Sequence, residues 1–357
     1  MNEIKLKDIV SPLLRWYGSA ARVLPWRDTP TPYRVWVSEI MLQQTRVDTA
    51  LPYFERFTQA LPDIAALAAA DEEQLLKLWE GLGYYSRVKN MQKAARAVME
   101  QYGGELPNAF DALKTLPGIG AYSAGAIASI AFGRRHPAVD GNVLRVISRI
   151  TASSEDITDA DVKRRIEQQV TEILPDERVG DFNQSLMELG ATVCLPNGAP
   201  RCEICPLGGI CRGYIEGIAA QLPVKAAKAA KKIADKTVLV IVYKDRLALK
   251  RRKKTGLLAG MWELPNTDEK LSPEECAALL NEWGIPFTEI TPLPPAKHIF
   301  THIEWRMTGF LVKAAECANA EGITWASPEQ LREQMALPTA FKAYRKQYDT
   351  YLATYRP

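Results

Sequence analysis

The chain has 357 residues, long for one ordinary domain, with 47% apolar and 24% charged residues, the composition of a globular protein. A net charge of +3 permits a nucleic-acid partner without demanding one. The charged start, MNEIKLKDIV, and the absence of any apolar run near the ~18 residues of a spanning helix argue against a leader and a membrane anchor, so a cytoplasmic protein is expected.

Helical periodicity comes first along the chain. "DEEQLLKLWEGLG", "RVKNMQKAARAVMEQYGG" and "DADVKRRIEQQVTEIL" each repeat apolar residues at three-to-four spacing, and Gly103-Gly104 with Pro107 stop the second. No strand is expected before about residue 222. Residues 223–236, "PVKAAKAAKKIADK", are basic, of low complexity and free of aromatics, and read as an inter-domain tether. Then the texture changes. "TVLVIVY" and "DRLALKRR" read as strands joined by a tight turn, "SPEECAALLNEWG" as a helix capped by Ser272, and "IEWRMTGFLVKA" as a further strand. The expected organisation is a helical domain over 1–222, a tether over 223–236 and an α+β domain over 237–357.

Four features carry chemistry. In "LPGIGAYSAG", Gly118 and Gly120 form a tight turn ahead of a helical run; freed N–H groups there suit an anion, although a purely structural turn reads equally well. Four of the six cysteines, Cys194, Cys202, Cys205 and Cys211, crowd one Pro- and Gly-rich loop; Cys276 and Cys317 lie apart and read as plain thiols. Such a set takes zinc or an iron–sulfur cluster, and four protein ligands leave no open position, so the centre is structural. Glu39 has Val35, Trp36, Leu42 and Gln43 as helical neighbours, an apolar setting that raises a carboxyl pKa and suits a proton donor; a solvent-facing or capping Glu is the plainer alternative. Asp140 precedes a helix, where it caps, and its carboxylate stays ionised beside the helix dipole. Paired acids are the equipment of glycoside cleavage.

In this order, "WVSEIMLQQTRV", "GLGYYSR", "LPGIGAYSAGAI", "VDGNVLRV", "FNQSLMELGATVC" and the cysteine loop resemble the helix-hairpin-helix DNA glycosylases that carry an iron–sulfur loop. Within them the chain looks like the MutY-type adenine glycosylases, which remove adenine mispaired with 8-oxoguanine or guanine from double-stranded DNA. The resemblance extends to the C-terminal third, similar to that family's Nudix-like domain. It implies a multidomain protein: an all-α glycosylase domain, a [4Fe–4S] cluster on the four cysteines, and a C-terminal α+β domain. A bacterial-type cytoplasmic monomer without membrane contact is expected.

By that resemblance, Glu39 protonates adenine, Asp140 stabilises or covalently traps the sugar cation, and Tyr122 and Asn142 hold these groups in place. Related enzymes that also cut the strand carry a lysine where this chain has Tyr122; a phenol forms no Schiff base, which implies base release without β-elimination. Gln44, with Thr45 beside it in the same motif, is placed at the gap left by the flipped base, Tyr84 beside the opposite lesion, and Trp26, Arg27 and Glu188 around the adenine. Without the family, Trp26 and Tyr84 read as core aromatics and Arg27 as a surface ion pair. The hairpin glycines take a DNA phosphate, with room for a monovalent cation, and Arg201 and Arg212 face the backbone.

Two departures stand out. The first cysteine gap holds seven residues where the family has six, and the family's Phe-Ser-His lesion-reading loop is here Phe300, Thr301 and His302. Thr301 keeps the hydroxyl and adds a methyl. "GLLAGMWELP" approaches a Nudix box, but Glu274, Glu275 and Glu282 lack its metal-binding arrangement, so this domain is expected to bind and not hydrolyse. The rival readings are a glycosylase/lyase like endonuclease III and a Nudix nucleotide hydrolase.

Overall fold

A computed structural model describes residues 5–196, 198–226 and 230–355. The chain divides into two compact units, Met1–Ala69 with Lys89–Ala227 and Ala70–Val88 with Lys228–Pro357.

The first unit opens with α1 (Val10–Ala20), α2 (Pro25–Asp28), α3 (Pro32–Leu42), α4 (Val47–Ala60) and α5 (Ile64–Ala69). Pro32 at the first position and the Thr31 side chain, which accepts from the Arg34 N–H, fix where α3 starts. α6 (Glu72–Leu78), capped by Asp71, is counted with the second unit. α7 (Ser86–Gln101), α8 (Phe110–Thr115) and α9 (Ala121–Ala126) follow, the last running into a π-helical turn over Ile127–Ala131. α10 (Gly141–Ile150), α11 (Ala160–Ile173), α12 (Val179–Thr192) and the short α13 (Arg212–Ile215) complete the unit. Leu13, Val143, Ile147, Val170, Phe182 and Leu186 form a fully buried core between α1, α10, α11 and α12. Each such side chain contributes about 1.5–3 kcal/mol. As expected, no strand occurs among its described residues; Asp156 and Val224 make one isolated bridge.

The second unit holds a seven-stranded sheet in the order β3-β2-β1-β6-β5, with β4 on β1 and β7 on β2. β1 (Lys232–Tyr243), β2 (Arg246–Arg251), β3 (Trp262–Glu263) and β4 (Asn266–Thr267) precede α14 (Pro273–Glu282). β5 (Phe287–Ile299), β6 (Ile303–Ala314), β7 (Ile323–Ala326), α15 (Pro328–Glu333) and α16 (Lys342–Thr354) follow. β1 and β6 are parallel, from Lys232↔Ile303 to Val242↔Lys313; the other pairings are antiparallel. Alternation sends Val238, Val240 and Met307 into one core beside Tyr344 of α16, and Leu239, Ile241 and Phe310 into another beside Leu280 of α14.

Two expectations need correction. The tether over 223–236 is shorter: β1 begins at Lys232, because this stretch pairs with β6, a partner some seventy positions away that composition cannot reveal. At its other end the Ala226 N–H donates to Asp156, and residues 227–229 lie outside the described residues. The strand β5 is absent from the expected elements, and it contains Pro292, Pro294 and Pro295, which have no N–H for a ladder. It is an edge strand, where a missing N–H costs little, and its register shifts between Leu293 and Ala296.

Candidate active site

Glu39 lies on the buried side of α3, 6% exposed. The Tyr122 hydroxyl, from the start of α9, donates to its Oε2. Burial raises the Glu39 carboxyl from 4.5 to about 7; the Tyr122 hydrogen bond opposes this, and the nearby Asp140 charge adds to it. Tyr122 is itself driven well above 10 by burial and by the Glu39 charge. Its hydroxyl is therefore a proton donor to the carboxylate at any working pH. The plainer alternative for Glu39, a side chain turned to water, is not what forms.

Asp140 caps α10 as expected. Its Oδ1 accepts from the Asn142 and Val143 N–H groups, both at 2.8 Å, and its Oδ2 from Asn142 Nδ2 at 2.7 Å. Burial pushes this carboxyl above its usual 3.8, outweighing the three donors and the Arg145 charge. The donors limit the rise; they do not reverse it. Asn142 is in turn held by Arg145, whose Nη2 donates to Asn142 Oδ1 and to the Gly190 carbonyl, both at 2.8 Å.

Arg27 and Glu188 come together, but in a buried cluster and not as a surface pair. Glu188 is 1% exposed; its Oε2 accepts from Arg27 Nη2 at 2.8 Å and from Arg22 Nη2 at 2.9 Å, and its Oε1 from Arg22 Nε at 2.6 Å. These bonds overcome burial and hold the carboxyl below its usual value. Trp26 is a core aromatic, edge-on to Phe54 at 5.1 Å. Arg22 escaped the sequence reading because nothing about a lone arginine in a loop shows that a carboxylate 166 positions away will reach it.

Gln44 and Tyr84 have left-handed backbones, φ 59° and 48°, an unusual conformation for residues with side chains. Gln44 is exposed and Thr45 half-buried at the end of α3. Gly118 has φ +79°, and a Cβ there would meet Asn90 Cβ at 2.8 Å, so the hairpin needs glycine; Gly120 is the exposed N-cap of α9. Within the second unit, the Tyr84 hydroxyl lies 3.3 Å from Thr301 Oγ1. Phe300 is fixed edge-on to Trp305 at 4.8 Å, while Thr301 and His302 are exposed at the β5–β6 turn. Glu275 closes a capping box with Ser272 at the start of α14, a local task that occupies one of the acids considered for a Nudix helix.

Cys194, Cys202, Cys205 and Cys211 line one cavity. The donor set is all sulfur, and the thiols are unpaired with one another. Among the described residues no three His, Cys, Asp or Glu groups are gathered as one metal ion requires. Four cysteine sulfurs are the donor set that zinc or an iron–sulfur cluster takes. No helix among the described residues is long and apolar enough to cross a membrane.

Residues 37–172 match the family model of the HhH-GPD superfamily base excision DNA repair proteins, and residues 237–347 match that of the NUDIX domain. The adenine DNA glycosylase of Mus musculus is 35% identical over 95% of this chain and 77% of its own length. The chain belongs to the adenine DNA glycosylases. The family member from Buchnera aphidicola subsp. Baizongia pistaciae is 33% identical, with 82% of each chain covered. A solved thermostable thymine-DNA glycosylase is also similar, with TM-score 0.54 and 29% identity over 59% of this chain and 96% of its own. As an adenine DNA glycosylase by family, the chain is a DNA-repair enzyme acting on N-glycosyl bonds.

Proposed function

We propose that this enzyme hydrolyses the N-glycosidic bond of adenine paired with 8-oxoguanine or guanine in duplex DNA and leaves an abasic site without cutting the strand. The observation that carries this reading is the buried Glu39 carboxyl, raised to about 7 and hydrogen-bonded to Tyr122. A carboxyl with that pKa is substantially protonated at neutral pH and protonates the departing base. Asp140, enclosed and tied to Asn142, faces the positive charge that develops on the sugar; that charge offsets the burial that keeps its pKa high. Tyr122 occupies the place of a strand-cutting lysine, and its hydroxyl is committed to Glu39. Glu39, deprotonated after base release, then takes a proton from water.

The preference for 8-oxoguanine is assigned to Tyr84 and Thr301, whose hydroxyls lie 3.3 Å apart, with Phe300 and His302 flanking. Arg22 and Arg27 fix the Glu188 carboxylate as an acceptor for an exocyclic amine. Cys194, Cys202, Cys205 and Cys211 hold a [4Fe–4S] cluster whose part is structural, since four protein ligands fill its coordination. The hairpin at Gly118 and Gly120 receives a DNA phosphate, with or without a monovalent cation. The enzyme acts as a cytoplasmic monomer.

The test is a duplex with one adenine opposite 8-oxoguanine, incubated with enzyme and divided before a denaturing gel. Breakage at the adenine only after alkali is expected. Breakage without alkali would put the lyase reading ahead, and intact strands in both halves would refute adenine excision.

A further inference from the structure

Arg149, on α10, is 2% exposed, and no carboxylate among the described residues pairs with it. Its guanidinium is held by carbonyls and by sulfur. Nη1 donates to Cys194 Sγ at 3.2 Å and to the Leu195 carbonyl at 2.8 Å, and Nε donates to the Leu222 carbonyl at 2.8 Å. Its backbone carbonyl oxygen lies 3.5 Å from Cys211 Sγ. α13 can come this near because residue 213 is glycine: a Cβ there would meet the Arg149 carbonyl oxygen at 2.6 Å. One residue thus touches the first and the last of the four cysteines, and its side chain lines the cavity between them.

Carbonyl dipoles satisfy the N–H groups but supply no net negative charge. A buried cation left uncompensated is strongly disfavoured, and such groups are found paired or opposite a ligand of opposite sign. Among the described residues, the groups beside this guanidinium able to supply negative charge are the cysteine sulfurs, which supply it when they ligate a cluster. Arg145, four residues earlier, reaches the same cysteine but at its backbone carbonyl, and so does not do this job.

We propose that Arg149 is the counter-charge and sulfur-directed hydrogen-bond donor for the iron–sulfur cluster, keeping the cluster in the protein and raising its reduction potential. This rests on the [4Fe–4S] reading of the four cysteines. A four-thiolate cluster is negatively charged and more so when reduced, so a nearby cation and an N–H···S bond favour the reduced form. Arginine is needed because its fork reaches sulfur and carbonyls together, whereas lysine offers one point charge.

The experiment compares wild type, Arg149→Lys and Arg149→Met for iron and sulfide content, visible absorption, cluster loss to a chelator and potential by protein-film voltammetry, with circular dichroism as the check on folding. Wild type should contain iron and inorganic sulfide in equal amounts. Arg149→Met should lose its cluster about tenfold faster or more, the scale of outer-sphere substitutions, and whatever remains should have the lower potential. Arg149→Lys should lie between the two. If Arg149→Met yields no folded protein, Arg149→Lys decides, since unchanged retention and potential there would overturn the proposal. Wild-type retention and potential in a folded Arg149→Met would also overturn it while leaving the cluster reading intact. Zinc in the wild-type protein would overturn both.

Discussion

At pH 7 about half of the Glu39 side chains carry a proton, because burial has brought the folded pKa to about 7. Between the usual 4.5 and 7 the folded chain binds the extra proton, so folding becomes less favourable as pH rises through that window. The full penalty, about 3 kcal/mol, is present above the folded value and absent below the unfolded one. Glu39→Gln should therefore abolish excision yet gain up to about 3 kcal/mol of stability at pH 8 over wild type. Denaturant melts at pH 8 and pH 4 check this, with the gain vanishing at pH 4. The same proton governs catalysis. Single-turnover excision at subsaturating enzyme should fall as pH rises through about 7, and Tyr122→Phe should move that fall to higher pH, because the phenol's hydrogen bond is what lowers the Glu39 value. A fall displaced to lower pH in Tyr122→Phe would contradict the assigned geometry. Asn142→Ala removes one of the donors that restrain Asp140, so its carboxyl should rise further and excision should slow by on the order of tenfold to a thousandfold. Rapid-quench kinetics read that directly.

At the scale of elements, α10 gathers more of the site than its sequence advertises. "VDGNVLRVISRI" reads as a capped amphipathic helix, and the Asp140 cap was legible because a short acidic side chain before a helix has a defined local task. What could not be read is that the helix is buried from Val143 to Ile150, so Arg145 and Arg149, which look like its solvent face, point into the protein. Buried arginines need partners, and theirs sit on the cysteine loop and α12, far along the chain. α14 shows the opposite case. Ser272, Pro273 and Glu275 state their capping box within four residues, and the structure contains it. Ser272→Ala should cost about 1 kcal/mol of stability in the C-terminal domain, measured by thermal melting, with no effect on excision of adenine opposite guanine.

For the whole molecule, the segment 70–88 is the informative piece. It lies inside the helical sequence, yet clusters with the sheet unit: Lys77 Nζ donates to the Leu331 carbonyl at 2.8 Å, and the Leu337 N–H donates to Glu80 at 2.7 Å. A chain cut before β1 would strip α6 of these partners, so truncation would confound lesion reading with local unfolding. Substitution at the reading loop is cleaner. Thr301→Val keeps the branched shape and removes the hydroxyl that meets Tyr84; it should lower the preference for 8-oxoguanine over guanine by on the order of tenfold, while excision opposite guanine stays within about twofold. Competition between the two duplexes in one reaction measures the ratio, and an unchanged ratio would remove Thr301 from recognition.

The sequence by itself determined what local chemistry can state: the helix starts at Asp140 and Ser272, the glycine hairpin and the four-sulfur set. These depend on residues within a few positions of one another. Only the tertiary structure decided the rest: the burial that lifts Glu39 and Asp140, the arginine pair on Glu188, the arginine that meets Cys194, and the strand status of Lys232–Lys236 and β5. Each of these is set by atoms contributed from distant parts of the chain. Desolvation and strand pairing have no local signature; they exist only once the chain has closed around them.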